Sequence, residues 1–376
     1  MDERVRFIAA VRSGLGMGEA CRSYGISRKT GYKWLERYQA EGPIGLVERS
    51  RAPHRMPWAI DDDLAEILVD ARCRHPSWGP RKLLGWLEPR HEGCRLPAAS
   101  SVGELLRRRG LVKPRRRRRR VPPHLGRPGR FDSPNDTWCA DFKGWFRTKD
   151  GQRCDPLTIS DGCSRFVLRC QIVERPTLKP VKVQFERAFQ EYGLPAAIRT
   201  DNGPPFASTG VGGLSRLAIW WIKLGITPDR IEPGKPEQNG RHERFHKTLK
   251  GETASPPASN PAAQQRRFDR FLREYNTERP HEALDNQTPA ALYTASSRTY
   301  RRELPEIEYP TSYLVRSVHT AGTIKWKGRR IWLSDTLVGE RVGLEPIDDD
   351  RWLIRFSTIP LAVLDNRLRT PAIIRV

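Results

Sequence analysis

The sequence predicts a multidomain chain: all-α helix-turn-helix units at the amino-terminal end, an α/β core in the middle and a small β-barrel at the carboxy-terminal end. Three observations carry that order. Apolar residues recur at helical spacing through residue 112, strand-type and helical runs alternate from residue 131, and short alternating runs follow residue 310. Between the first two regions, Lys113-Pro114 leads into six arginines at 115–120 and then Val121-Pro122-Pro123. Like charges packed this tightly repel one another and resist a core, so 113–130 is expected to be an extended linker. The expected domains are 1–55, 56–112, 131–296 and 297–376 around that linker, a division that 376 residues accommodate.

Composition narrows the function classes. Lys and Arg total 67 against 44 Asp and Glu, a formal charge of +23 on a chain that is 37% hydrophobic, which suits a folded protein held near a polyanion. Apolar runs such as 217–222 fall far short of the ~20 residues that span a bilayer, and no apolar signal segment follows Met1. The expectation is a cytoplasmic, nucleoid-associated protein with no membrane partner. Seven cysteines (Cys21, Cys73, Cys94, Cys139, Cys154, Cys163 and Cys170) contain no C-x-x-C pair, which points to reduced thiols and away from a disulfide framework or a structural zinc site.

Helix by helix, Val5, Ile8, Ala9 and Arg12 share one spacing, residues 18–24 form a second short helix, Gly25 turns the chain, and Ser27 caps a third helix reaching about Gln39. Tyr24, Ile26, Trp34 and Leu35 fill the small core of this helix-turn-helix pattern. Arg28, Lys29, Thr30, Tyr32 and Lys33 then lie on the outer face of the third helix, as DNA-reading residues or as an ordinary solvated basic face. A second such unit is expected between Asp61 and Leu111. Leu64, Ile67, Leu68 and Ala71 form its first stripe, Pro80 opens a helix, and Ser100 or Ser101 caps a helix carrying Val102, Leu105 and Leu106. Together with Arg115, Arg116 and Arg117 of the linker, the two units would track along DNA through salt-sensitive phosphate contacts.

In the core, Trp138-Cys139-Ala140-Asp141-Phe142 is a buried strand carrying an acid, an uncommon place for a carboxylate. Strands over 157–160 and 165–172 and a helix over 177–192 follow, then a short strand, Ala197-Ile198-Arg199-Thr200, ends at Asp201-Asn202-Gly203. Asp201 reads as a functional group at a strand's carboxyl end or as a turn aspartate. Past the loop at 233–240, the basic helix 241–250 contains one acid, Glu243, either in a solvated ion-pair network or as a metal ligand. Three carboxylates from two strands and a helix can hold two Mg²⁺ ions about 3.5–4 Å apart, an arrangement suited to phosphodiester chemistry.

The runs around Asp141, Thr200-Asp201-Asn202-Gly203-Pro204-Pro205-Phe206, Pro236-Glu237-Gln238-Asn239-Gly240-Arg241-His242-Glu243-Arg244-Phe245-His246 and Tyr275-Asn276-Thr277-Glu278-Arg279-Pro280-His281-Glu282-Ala283-Leu284 together resemble the integrase-core transposases of bacterial insertion sequences. Gly25-Ile26-Ser27-Arg28-Lys29-Thr30 and His75-Pro76-Ser77-Trp78-Gly79-Pro80-Arg81-Lys82 are similar to their paired helix-turn-helix regions. The resemblance implies a ribonuclease-H-like core of mixed sheet flanked by helices. It also implies a catalytic Asp-Asp-Glu triad, divalent metal (two Mg²⁺ or Mn²⁺ ions), cleavage at element ends, and transfer of the freed 3′ ends into target DNA by an oligomer on double-stranded DNA. Carried over, the triad and metal ligands are Asp141, Asp201 and Glu243, separated by 60 and 42 residues. Glu243 follows Asn239-Gly240 as the family's glutamate does, whereas Glu237 stands in the Pro/Gly loop; the extra length is assigned to a flexible insertion at 207–215. Lys247 and Lys250, at +4 and +7 from Glu243, match lysines that contact DNA ends in retroviral relatives.

Other features receive plainer readings. His242-Glu243-Arg244-Phe245-His246 satisfies the zinc-protease pattern H-E-x-x-H, but no third ligand accompanies it, and its histidines are expected near phosphate or metal, or on the surface. Asp161 and Glu174 are expected to pair with Arg165 or Arg169. Asp348-Asp349-Asp350 reads as a hairpin turn and Lys327-Gly328-Arg329-Arg330 as a basic hairpin tip. Two rival functions share these features: a DNA-binding regulator with a degenerate core, and a nuclease of the same fold that does not join strands.

Overall fold

A computed structural model describes residues 2–49, 59–91, 93, 95–112, 131–232, 238, 240–367 and 372–375. The arginine-rich linker, including Arg115, Arg116 and Arg117, and the alternative acid Glu237 lie outside these residues. The chain forms two compact units, one ending at Ile60 and one beginning at Asp61.

In the first unit, α1 (Asp2–Arg12), α2 (Met17–Ser23) and α3 (Arg28–Glu41) form the expected helix-turn-helix. Gly25 makes the turn at φ +63°, and the Ser27 hydroxyl accepts the Thr30 N–H at 3.1 Å, satisfying an otherwise orphaned donor at the start of α3. Within α3, a Cβ at Gly31 would stand 2.6 Å from Cys21 Sγ and 2.9 Å from Phe7 Cζ, so glycine lets the three helices close on one another. Tyr24, Ile26, Trp34 and Leu35 pack in the core as expected. Along α1, however, Val5 and Ala9 are exposed; the buried stripe runs through Phe7 and Ile8 because the Phe7 ring wedges edge-on against both Tyr24 and Trp34.

The second unit opens with α4 (Asp62–Arg74), α5 (Pro80–Leu87) and α6 (Ala99–Arg108), packed through Leu68, Ala71, Trp78, Leu83, Val102 and Leu106. Pro80 opens α5, where its missing N–H costs nothing. Ser100 and Ser101 do not cap α6: the helix begins at Ala99 with Ala98 as its cap, and the Val102 N–H already bonds the Ala98 carbonyl.

Next comes a mixed sheet built from β1 (Thr137–Phe142), β2 (Phe146–Arg147), β3 (Arg153–Asp161), β4 (Val167–Val173), β5 (Ala197–Thr200) and β6 (Thr227–Arg230). Its order is β4-β3-β1-β5-β6, with β2 on the start of β3. The β4-β3-β1 pairs are antiparallel and the β1-β5-β6 pairs parallel. Around it lie α7 (Leu178–Tyr192), α8 (Arg216–Lys223), α9 (Gly240–Thr253), α10 (Pro261–Thr277) and α11 (Pro289–Leu292). Trp138, Phe185, Phe189, Phe206 and Trp221 dominate the core between sheet and helices. The apolar run 217–222 is α8, and it is apolar all round because two cores use it. Leu217, Trp220 and Trp221 enter the sheet core, while Ala218 and Ile219 enter the carboxy-terminal one. Among the described residues no helix is long and apolar enough to cross a membrane.

At the carboxy-terminal end, β7 (Leu314–Ser317), β10 (Arg341–Pro346), β11 (Arg351–Phe356), β12 (Ile359–Asp365) and β13 (Ala372–Arg375) make an antiparallel sheet in the order β13-β12-β11-β10-β7. β8 (Thr323–Trp326) and β9 (Arg329–Trp332) make a separate hairpin, turned at Lys327 and Gly328, which both have positive φ. The expected barrel is therefore an open sheet among the described residues. Ile324 and Trp326 of the hairpin join its core, with Trp326 edge-on to Trp352, so that the face is covered without a closing ladder. The Asp348-Asp349-Asp350 turn is as expected, with Asp348 paired to Arg351. The segment 207–215 is not a loose insertion: Val211 and Leu214 are buried in this second core, and Gly212 lies against Leu361. It ties the mixed sheet to the carboxy-terminal sheet.

The His75 and Tyr275 motifs meet one another. His75 Nδ1 lies 2.7 Å from Glu274 Oε1, the Lys82 ammonium donates to the Pro280 carbonyl, Arg81 pairs with Glu282, and Ser77 donates to Glu252. A Cβ at Gly85 would stand 3.0 Å from Asn286 Cβ and 3.3 Å from Pro280 Cβ. The loop and α5 of the second helical unit are thus spent on the core, and Arg107 and Arg109 are engaged by Glu104 and Glu66. Gly85→Leu should therefore overpack this joint and cost about 1–3 kcal/mol. Thermal unfolding with hydrogen exchange checks it: protection should fall in both 80–87 and 274–286, and an unchanged melting temperature would contradict the contact.

Candidate active site

Asp141 and Asp201 reach the site through sheet register. In the parallel β1–β5 ladder Thr137 faces Ala197 and Cys139 faces Arg199, an offset of 60 residues, which is also the separation of Asp141 and Asp201 (201 − 141 = 60). Continued two residues past the last paired residues, that register sets both acids at one level and on one side of neighbouring strands, whose axes lie about 4.8 Å apart. Both are half-buried. Asp201 also forms its own turn, accepting the Gly203 N–H at 3.2 Å, and a Cβ on Gly203 would crowd its carboxylate at 3.1 Å. Asp201 is therefore a turn aspartate that stands at the carboxyl end of β5.

Glu243 is carried by α9, whose inward face is His242, Phe245, His246, Leu249 and Thr253. Its side chain is exposed, with no hydrogen bond or ion pair to the described residues, one turn before His246. The His246 ring brings α9 to the first carboxylate, with Nδ1 3.9 Å from Asp141 Oδ2. At the start of the helix, Arg241 donates to the Gly162 carbonyl and lies over the Phe131 ring. Among the described residues no group of three His, Cys, Asp or Glu side chains is gathered closely enough to hold a metal ion. The β1–β5 register, continued, points Asp141 and Asp201 to one level, while His246 brings α9 beside Asp141 and the Glu243 side chain lies at the surface.

The two histidines are neither at the surface nor arranged for zinc. Both are buried, both Nε2 atoms approach the Thr158 hydroxyl at 2.6 and 2.7 Å, and the rings meet edge to face at 4.7 Å. Burial holds His242 down at about 4; His246 is lowered too, by burial first and then by His242 and Lys143. Both rings are neutral at pH 7.

Several basic groups flank the acids. Lys143, two residues beyond Asp141, is lowered by burial first and by the Lys250 ammonium second, against the pull of Asp141. Lys250 is exposed there, as Glu243 and Lys247 are. Far along the chain in the first unit, Arg28, Lys29 and Lys33 are exposed on α3, while Thr30 is half-buried and shares the cap with Ser27. Among the described residues Asp161 does not pair with an arginine. It is buried and accepts from the Asn135 and Ser164 N–H groups and the Ser164 hydroxyl; Arg169 pairs with Glu191 instead of Glu174. Sequence reading missed Lys143 and Thr158. Strand alternation from Asp141 points to Lys143, but nothing local marks Thr158, whose role depends on facing Asp141 across β1–β3.

Comparison with known proteins agrees with this architecture. Residues 132–236 and 224–289 match the integrase core domain, 3–54 a helix-turn-helix domain, 30–106 a homeodomain-like domain, and 313–372 the IS481 family transposase C-terminal domain. In that order the chain carries helix-turn-helix domains, an integrase core and an IS481 family transposase C-terminal domain, and it is similar to proteins named as transposases of bacterial insertion elements. Its relatives include a 31.7 kDa protein of insertion element IS407 from Burkholderia multivorans, 27% identical over 75% of this chain and 93% of its own. Another is a 39.2 kDa protein of insertion element IS476 from Xanthomonas euvesicatoria, 28% identical over 65% of this chain and 68% of its own. The transposase InsD of insertion element IS2 from Escherichia coli is 28% identical over 57% and 72%. Among solved structures, the HTLV-2 integrase catalytic core domain in complex with magnesium aligns at 18% identity over 43% of this chain and 99% of its own, TM-score 0.34. A simian T-cell lymphotropic virus intasome aligns at 16% identity over 81% and 98%, TM-score 0.40.

The buried neutral histidines carry a pH signature. His242, at about 4, and His281, lowered to about 3 chiefly by burial, refuse protons that the unfolded chain takes up near 6.5. Their contribution to stability is thus full above about pH 6.5 and is lost as the pH falls toward 4. Melting temperatures followed by circular dichroism should drop from pH 7 to pH 4.5, less steeply in a His242→Asn/His281→Asn variant. Equal slopes in the two proteins would count against buried neutral rings.

Proposed function

We propose that the chain is a metal-dependent DNA transposase that cleaves element ends and joins the freed 3′ hydroxyls to target DNA. The observation that carries this reading is the coincidence of the 60-residue register offset with the 60-residue spacing of Asp141 and Asp201 inside a matched integrase core domain. With Glu243 they offer an all-oxygen donor set, the kind that hard divalent cations such as Mg²⁺ or Mn²⁺ take, and no side-chain bond to the described residues anchors Glu243 away from the pair. Asp141, Asp201 and Glu243 would hold two such ions, which when bound activate a water or 3′ hydroxyl and stabilise the leaving oxygen.

The chain's own residues do the rest. Lys143 and Lys250 put positive charge beside Asp141, where a scissile phosphate needs neutralising and orienting. Lys247, one turn beyond Glu243, extends that charge along the DNA end. Arg28, Lys29 and Lys33 on α3 read the element end, the Thr30 cap fixes the start of that helix, and Arg115, Arg116 and Arg117 neutralise backbone phosphates without reading sequence. Joining two ends to one target requires more than one active site on the DNA, so the working form is a homo-oligomer on double-stranded DNA in the cytoplasm.

Two measurements test this. Asp141→Asn, Asp201→Asn and Glu243→Gln should each lower Mg²⁺-dependent end cleavage and strand transfer at least about a hundredfold while binding the same DNA, with Glu237→Gln as the active control. Loss in Glu237→Gln with activity in Glu243→Gln would move the third ligand, and cleavage without joining in the wild type would leave a nuclease. Separately, Arg28→Ala should weaken binding to the element end by about 1–3 kcal/mol at one base position, if it contacts that base in bidentate fashion, and spare scrambled duplexes. Equal losses on both would take α3 out of sequence recognition.

A further inference from the structure

Thr158 stands opposite Asp141 in the β1–β3 ladder and is wholly buried. Its hydroxyl meets three groups: the Asp141 main-chain carbonyl at 3.0 Å, His242 Nε2 at 2.6 Å and His246 Nε2 at 2.7 Å. A hydroxyl has one hydrogen to give and two lone pairs to receive with. A carbonyl can only accept, so it takes the hydrogen, and each imidazole must then donate its Nε2–H into one lone pair. All three contacts are satisfied together only with a proton on each Nε2, and a neutral His246 ring then turns its Nδ1 lone pair to the side of Asp141.

His242 and His246 bracket Glu243 on the helix, one residue before it and three after. The hydroxyl therefore binds, through one atom, the main chain of one proposed ligand and the helical turn that presents another. We infer that Thr158, His242 and His246 form a positioning hub that sets the separation of Asp141 from Glu243 and so the geometry in which these acids take a divalent cation. All three residues are buried, so they act through the acids they position. Groups that orient metal ligands typically change metal affinity ten- to a hundredfold when removed. This inference rests on the metal-site reading above, and its test keeps the two apart.

The probe is Mn²⁺ binding to the full chain, followed by electron paramagnetic resonance without DNA. Thr158→Val, which keeps the shape and removes the acceptor, should weaken Mn²⁺ binding at least about tenfold, and Thr158→Ser, which restores the hydroxyl, should return it to within about twofold of wild type. Thr253→Val is the matched control: it deletes another buried hydroxyl on α9, one bonded to the Leu249 carbonyl, and should lose stability without losing Mn²⁺ affinity. Equal Mn²⁺ affinity in Thr158→Val and wild type would overturn the hub alone. Mn²⁺ binding by Asp141→Asn as tight as by wild type would overturn the metal-site reading and the hub with it. A second readout needs neither metal nor a fragile variant. Nitrogen-15 histidine spectra of the wild type should show both rings protonated at Nε2 only, and an Nδ1–H tautomer on either ring would overturn the assignment.

Discussion

The position of β1 is the constraint on which the rest of the second unit depends. It pairs antiparallel with β3 on one edge and parallel with β5 on the other, so Trp138 and Cys139 have fixed neighbours on both sides and set the register of the residues that follow. Asp141 consequently faces Thr158 on one side and continues the register toward Asp201 on the other. A slip of one residue in the β1–β5 ladder would turn one acid to the opposite face and separate the pair, and a slip in the β1–β3 ladder would take Thr158 from Asp141. The burial of Trp138, Cys139 and Ala140 makes such a slip costly, since each would exchange a buried site for the wrong face.

The same constraint organises α9. Its inward stripe packs Phe245 and Leu249 against Phe268, Phe271 and Tyr275 of α10, while His242 and His246 close on Thr158. Two polar rings in an apolar stripe would be expensive if unpaired, because a buried N–H without an acceptor forfeits its hydration for nothing. Here the Thr158 hydroxyl absorbs both. A helix held by directional bonds as well as apolar packing has its rotation about its own axis fixed, and that rotation decides which residues flank Asp141.

The domains around the sheet are joined by side chains that serve two cores at once. α8 belongs both to the mixed sheet and to the carboxy-terminal sheet, with Val211 and Leu214 extending the second contact. Lys223 on α8 pairs with Glu340 across that junction. On the other side, the His75 loop and α5 are committed to the end of α10 and the residues after it, so that second helical unit behaves as a brace on the core, with its approach loop already occupied. The segment after α11 also packs on the sheet unit: Arg298 donates to the Pro195, Leu224 and Gly225 carbonyls.

Much of this was legible in the sequence wherever a local rule governs. Ser27 before a helical spacing, Pro80 at a helix start, Gly25 at a turn, the Asp201-Asn202-Gly203 turn and the hairpins at Lys327 and Asp348 each rest on backbone preferences that act within a few residues. The order of domains, the strand bearing Asp141 and the helix bearing Glu243 follow from periodicity and motif spacing. What the sequence left undecided are the choices made between distant segments: which residues of α1 turn inward, whether the carboxy-terminal strands close into a barrel, whether 207–215 is loose, what faces Asp161, and where His242 and His246 point. Only the tertiary structure decided these, because each depends on a partner tens of residues away or more, such as Trp34 for Phe7, Leu361 for Gly212 and Thr158 for the two histidines. The pattern of a helix fixes its buried face only to within a residue or so, and the shape of the partner selects among the remaining rotations.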